Sequence, residues 1–153
     1  MRPYFSLAFG NPGSLHSFGQ EAIKALDDSR EVIAESLSAQ FREIIFTGSA
    51  TEANNLALRG VIRNSRITRP KIIVSSIEHE SILETAEDLK KEGVEVVHIQ
   101  VNDEGLIDLI KLESFLDERT VLVAIIYANN EPGPIQSSAA LSRSIQKVKN
   151  HWI

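Results

Sequence analysis

Apolar and polar positions change period several times along the chain, and each change predicts an element. In "FGQEAIKALDDSREVIAESLSAQ" (18–40), Ile23, Leu26, Ile33 and Leu37 fall near one side of a helix, with Asp, Glu and Arg elsewhere, which predicts an amphipathic helix. "EIIF" (43–46) reads as a short buried strand, and "ATEANNLALRGVIRN" after it puts Ala53, Leu56, Ala57 and Val61 on helical spacing. "KIIVSS" (71–76) predicts a second strand, and the next helix carries the stripe Ile82, Leu83, Ala86, Leu89 and closes on Lys90, Lys91 and Gly93. "VEVVHIQV" (94–101) predicts a third strand, "NDEG" (102–105) a turn and "LIKLESFLDE" (109–118) a short helix. The most apolar run, "TVLVAIIYA" (120–128), leads into the loop "NNEPGP" and a last helix, "SSAALSRSIQKVKN" (137–150), opened by serine and closed by basic residues.

Strands alternating with helices imply βαβ units: an α/β fold in three layers, a mainly parallel sheet with helices on both faces. No internal repeat, low-complexity tract or Pro/Gly-rich linker divides the chain. The last helix is followed only by "HWI", so the strand it should lead into is not there, and the expectation is a domain cut inside a βαβ unit.

Composition narrows the class. With 153 residues, 42% apolar and 24% charged, the chain suits one globular domain with a real core. A net charge of −5 with dispersed lysines and arginines gives no nucleic-acid footprint and no anionic-membrane patch. There is no cysteine, which removes disulfides, thiolate metal sites and any cysteine nucleophile. The N-terminus has no leader-like pattern, and no segment approaches the roughly 20 apolar residues that span a bilayer, so a cytoplasmic protein without a membrane partner is expected.

In open parallel sheets ligands bind beyond the carboxyl ends of the strands. Those exits read "TGSAT" (47–51), "SSIEH" (75–79) and "ANNE" (128–131). The first offers consecutive backbone N–H groups and Thr51 at or near a helix start, which suits a single phosphate; capping of the helix by Ser49 and Thr51 explains the same residues equally well. Neither a P-loop lysine nor a G-x-G-x-x-G fingerprint is present, so polyphosphates and dinucleotides are not indicated. His79 stands at a strand exit, where a histidine is either a cap or a functional imidazole. Asn129 and Asn130 suit an Asx-turn before Pro132. Glu131 has no carboxylate partner for paired acid–base work, and His16 and His98 show no ligand spacing, so no metal is expected.

Five blocks, "GNPGSLHSFGQEA" (10–22), "FTGSATEANNLALRG" (46–60), "SSIEHESILETAEDLKKEG" (75–93), "DEGLIDL" (103–109) and "VLVAIIYANNEPGPIQ" (121–136), occur in an order and spacing that resembles the cysteine desulfurases (NifS/IscS-like) of the class V aminotransferase group. The resemblance implies a fold-type I pyridoxal-5′-phosphate enzyme that converts L-cysteine to L-alanine, leaving a persulfide for iron–sulfur cluster assembly. It implies that Ala50 and Thr51 grip the cofactor phosphate, that His79 stacks on the cofactor ring and assists proton transfer, and that Asn130 bonds the ring oxygen or the substrate. It implies a homodimer, or a complementing C-terminal fragment, as partner.

Two departures accompany it. Thr47-Gly48-Ser49 stands where Thr-Ser-Gly is usual, and a serine at a glycine's positive φ would carry roughly 1 kcal/mol of strain; Gly13 replaces a common serine. The family's first strand, its Ser-x-His-Lys lysine and its nucleophilic cysteine have no counterpart in the 153 residues, so the chain corresponds to a partial cofactor-binding large domain, 1–153, truncated at both ends and inactive alone. A non-catalytic phosphate-binding or interaction module, and a selenocysteine lyase-like relative, are the alternatives.

Overall fold

The computed structural model describes residues 2–129 and 133–148, which fall into two compact units, Met1–Phe46 and Thr47–Ile153.

In the first unit a 3-10 turn at Arg2–Phe5 precedes helix α1 (Ser17–Ser36), and a second 3-10 turn lies at Phe41–Glu43. His16 caps α1, its Nδ1 accepting from the Gly19 N–H at 3.3 Å. A Cβ on Gly19 would lie 2.3 Å from the Ser14 carbonyl oxygen, so the loop that leads into α1 closes this tightly only over glycine. The helix ends in a Schellman closure: Ala39 N–H donates to the Ala34 carbonyl and Ser38 N–H to the Glu35 carbonyl, with Ser38 at φ 53°. Only Gly19 and Ala34 of α1 are buried, and Leu26, Ile33 and Leu37 of the anticipated apolar face remain exposed or nearly so.

The expected strand at 43–46 does not form. Glu43 completes the 3-10 turn, Ile44 is extended at φ −92°, ψ 117°, and none of these residues joins a ladder. A strand exists through its partners, and without them the apolar run is an extended segment with Ile45 67% exposed. Phe46 and Phe41 instead hold the Arg30 guanidinium between their rings, 5.2 and 5.0 Å from the centroids.

The second unit is the α/β body. Helix α2 (Ala50–Asn64), strand β1 (Lys71–Ser75), α3 (Glu80–Lys91), β2 (Glu95–Ile99), α4 (Leu109–Phe115), β3 (Thr120–Ala124) and α5 (Ser138–Val148) follow one another, and the sheet has the order β2-β1-β3 with both pairings parallel. The central β1 is buried along its whole length, as a strand covered on both faces must be. Its alternation divides the core: Ile72 and Val74 pack with Leu58, Ile82, Ala86 and Leu89 on the α2/α3 side. Ile73 packs with Ile99, Leu112 and Leu141 on the α4/α5 side. The three-layer reading therefore holds in this unit.

Element ends depart from the sequence expectation in physical ways. Strands β2 and β3 are shorter than their apolar runs, because beyond β3 the Ile126 N–H turns to the Glu78 carboxylate, and Val101 and Ala128 form only isolated antiparallel bridges with Ile107 and Ile135. The 102–105 turn forms as expected: Asn102 Oδ1 accepts from the Glu104 and Leu106 N–H groups, and Gly105 takes φ 76°. On α2 the buried positions are Asn54, Asn55, Leu58, Arg59 and Ile62, wholly or in part, whereas the predicted stripe Ala53, Leu56, Ala57, Val61 is exposed. Among the described residues no helix is long and apolar enough to cross a membrane.

Candidate functional site

The carboxyl ends of β1 and β3 are tied together before either chain enters its loop. Glu78 Oε1 accepts from the Ser75 hydroxyl at 2.6 Å and from the Ile126 N–H. Asn129 Nδ2 donates to the Ile77 carbonyl at 2.7 Å. Buried Gln136 adds a brace, its Oε1 accepting from the Ile107 N–H and its Nε2 donating to the Gly105 carbonyl. The exits after β1 and β3, the first of which carries His79, are thus built on fixed backbone rather than on free loops.

The stretch expected as the first exit follows no strand, since 43–46 forms none; there Ser49 is the N-cap of α2, extended at φ −160°, ψ 163°, and its hydroxyl accepts from the Glu52 N–H at 3.1 Å. Glu52 Oε2 accepts in turn from the Gly48 N–H at 2.7 Å. The strain anticipated for the swapped Gly48-Ser49 pair is absent, since an extended φ suits any residue and neither position is left-handed. Capping was the alternative explanation for this stretch, and Ser49 does cap. Its cap uses only the Glu52 N–H, and the next backbone bond is Ala53 N–H to the Ser49 carbonyl. The N–H groups of Ala50 and Thr51 have no acceptor among the described residues. A first turn with two open donors at the positive end of the helix dipole suits an anion.

At the second exit, His79 is the N-cap of α3, and its Nδ1 accepts from the Ser81 N–H at 3.1 Å. The Ser81 hydroxyl lies 2.9 Å from the same nitrogen and accepts from Asn54 Nδ2 of α2 at 2.8 Å. Thr51, Asn55, His79 and Ser81 line one groove of about 380 Å³ between the two helices. The structure therefore brings Thr51 and His79 together, with Ala50 beside Thr51 in the chain. Asn130 lies outside the described residues.

Among the described residues no lysine or arginine lines this groove, whereas Glu80, Glu84 and Asp88 do. Asp88 is offset by its neighbours: Lys91 first, then Arg59, hold its carboxyl below the usual range. The groups here that suit an anion are backbone N–H groups and helix ends, not a cationic side chain. A pyridoxal phosphate, with one small dianion and a flat ring, suits that donor set: the Thr51 N–H and hydroxyl, with the Ala50 N–H next in the chain, and an exposed imidazole lining the same groove. Sequence reasoning missed Glu78, Asn54 and Ser81. Their roles come from contacts up to 48 residues apart in the chain, such as Glu78 with Ile126, which no local pattern encodes. Asn54 and Asn55 gave one usable signal, an amide pair inside an otherwise alternating helix.

The aminotransferase class-V family matches residues 1–153. Cysteine desulfurase IscS of Histophilus somni (strain 2336) is 44% identical over 142 residues, 92% of this chain and 35% of the relative's length. A solved structure described as a NifS-like protein superposes with a TM-score of 0.91 at 36% identity, over 97% of this chain and 41% of that one. Another, described as SspA in complex with cysteine, gives a TM-score of 0.87 at 33% identity, over 95% of this chain and 42% of that one. The chain thus spans about 35% of the length of the first curated relative it matches.

Proposed function

The chain belongs to the aminotransferase class-V family, and on that premise we propose that it is the phosphate-gripping part of a pyridoxal-phosphate-dependent cysteine desulfurase acting on L-cysteine. The observation that carries the reading is the pair of open N–H groups at Ala50 and Thr51, of which Thr51 lines one groove with His79. Ala50 and Thr51 bind the cofactor phosphate through those N–H groups and the Thr51 hydroxyl. His79 lies against the cofactor ring and manages a proton. Asn130 bonds the ring oxygen or the substrate. When bound, the cofactor supplies the electron sink for the substrate carbon.

Persulfide chemistry needs a thiolate, and this chain has no cysteine. None of its lysines (24, 71, 90, 91, 111, 147, 149) follows a Ser-x-His, so the covalent anchor of the family has no counterpart either. The reading is therefore of a partial large domain whose catalysis requires residues beyond these 153, supplied by a longer chain or by a complementing fragment, in a cytoplasmic homodimer that serves iron–sulfur cluster assembly. Alanine production from cysteine by the purified 153-residue chain would contradict it.

Thermal unfolding tests the cradle. Saturating pyridoxal 5′-phosphate at about 100 times its Kd stabilises the folded form by roughly 2.7 kcal/mol, raising Tm by several degrees. Thr51→Val, which keeps the shape and removes the hydroxyl, loses most of that shift. No rise in Tm for the wild-type chain removes the proposal.

A further inference from the structure

His79 carries more than a position. Its Nδ1 receives the backbone N–H of Ser81 at 3.1 Å, and a backbone N–H can only donate, so this contact favours Nδ1 as the acceptor, with the proton of the neutral ring on Nε2. The Ser81 hydroxyl, 2.9 Å from the same nitrogen, is itself nearly buried. Its oxygen accepts from Asn54 Nδ2 at 2.8 Å, which turns the hydroxyl proton toward the imidazole. Two donors thus converge on one ring nitrogen, and the second is oriented by an amide from another helix. Thr85 Oγ1 donates to the Ser81 carbonyl, fixing the backbone that bears both donors.

We propose that Ser81, oriented from α2 by Asn54, is a positioning residue that locks His79 as its Nε2–H tautomer, so that the ring offers the groove a hydrogen-bond donor rather than a lone pair. An anionic or carbonyl oxygen brought between α2 and α3 meets an N–H at His79 as it does at Thr51. The chemistry recognised is that of an oxyanion-bearing ring or a carboxylate, not of a cationic amine. The same contact couples the two halves of the site: the Asn54–Ser81 bond joins the helix that holds Thr51 to the helix capped by His79. This inference deepens the cofactor reading and rests on it for the identity of the guest. The tautomer itself requires no guest.

The test is long-range 1H–15N correlation of the histidine rings in the labelled chain, about two pH units above the ordinary histidine value of about 6.5 so that the ring is neutral. Expected is a pyridine-type Nδ1 and a pyrrole-type Nε2 for His79 with no second tautomer. Ser81→Ala, which keeps the helix because alanine is the best helix former, leaves the backbone N–H as the single donor to Nδ1 and brings in a minor Nδ1–H form, and Asn54→Ala does so to a smaller extent; Ser81→Thr restores the single tautomer. A mixed tautomer in the wild-type chain, or a single Nε2–H form that persists in Ser81→Ala, overturns the proposal. In parallel, pyridoxal 5′-phosphate titrations are expected to give affinity roughly fivefold weaker in Ser81→Ala, the worth of one neutral hydrogen bond. A wild-type chain that shows the single tautomer but binds no pyridoxal 5′-phosphate sinks the cofactor reading and leaves the positioning role standing.

Discussion

Lys71 opens β1 with its side chain 6% exposed, and its ammonium meets Asp117 at 2.7 Å. Burial pushes the Asp117 carboxyl up, but Lys71, the Arg119 N–H and the Arg119 guanidinium together hold it well below the usual carboxylate range. A carboxylate depressed in the folded state contributes stability above its unfolded value of about 3.9 and loses it as pH falls further. Asp117→Asn leaves a buried ammonium without a counter-charge and costs about 2 kcal/mol. The Tm difference between wild type and this variant should stay constant from pH 7 to about pH 4 and shrink only below that; a difference already shrinking at pH 6 contradicts the assignment. The same scale shows what single residues disclose. Thr51 was legible from helix-start chemistry and His79 from a strand exit, both local patterns, although the strand expected before Thr51 does not form. Lys71 read only as a strand start, because its burial depends on a partner 46 residues away.

Elements explain the next level. Gly93 and Ser38 do one job, the left-handed residue that closes a helix, at φ 96° after α3 and φ 53° after α1. Gly93 marked its helix end in the sequence, and α3 stops there. Ser38 gave no such mark, and the helix expected to run to residue 40 ends at Ser36. Gly93→Ala should destabilise the α/β unit by about 1 kcal/mol from left-handed strain alone, since a Cβ there meets nothing within 4 Å. Ser38→Gly should gain somewhat less, about 0.5 kcal/mol, because glycine also loosens the unfolded chain. Urea unfolding reads both, and a neutral Gly93→Ala would break the argument. The α2 stripe was misread for a related reason: periodicity marks apolar positions, whereas the packed face of α2 includes Asn54, bonded to Ser81. A buried amide looks like a surface residue until its partner is known.

For the whole molecule, βαβ alternation gave the layered α/β body because each crossover is encoded by its own period change. The strand at 43–46 was legible as an apolar run but had no ladder to join, since pairing is a property of two segments. The first unit presents Phe5, Leu7, Phe9 and Leu15 at 73–94% exposure, more apolar surface than a solitary domain of this size ordinarily shows. The isolated chain is therefore expected to self-associate and to bind a hydrophobic dye; a monodisperse, dye-silent monomer in light scattering would contradict that. The central claim is that the first turn of α2 receives the phosphate of a pyridoxal cofactor. Its most direct test is an amide 1H–15N titration of the chain with pyridoxal 5′-phosphate and, separately, with pyridoxal. The account predicts that the Ala50 and Thr51 N–H resonances move downfield with the phosphorylated ligand and stay put with the unphosphorylated one. Equal shifts with both ligands, or none at these two amides, would contradict it.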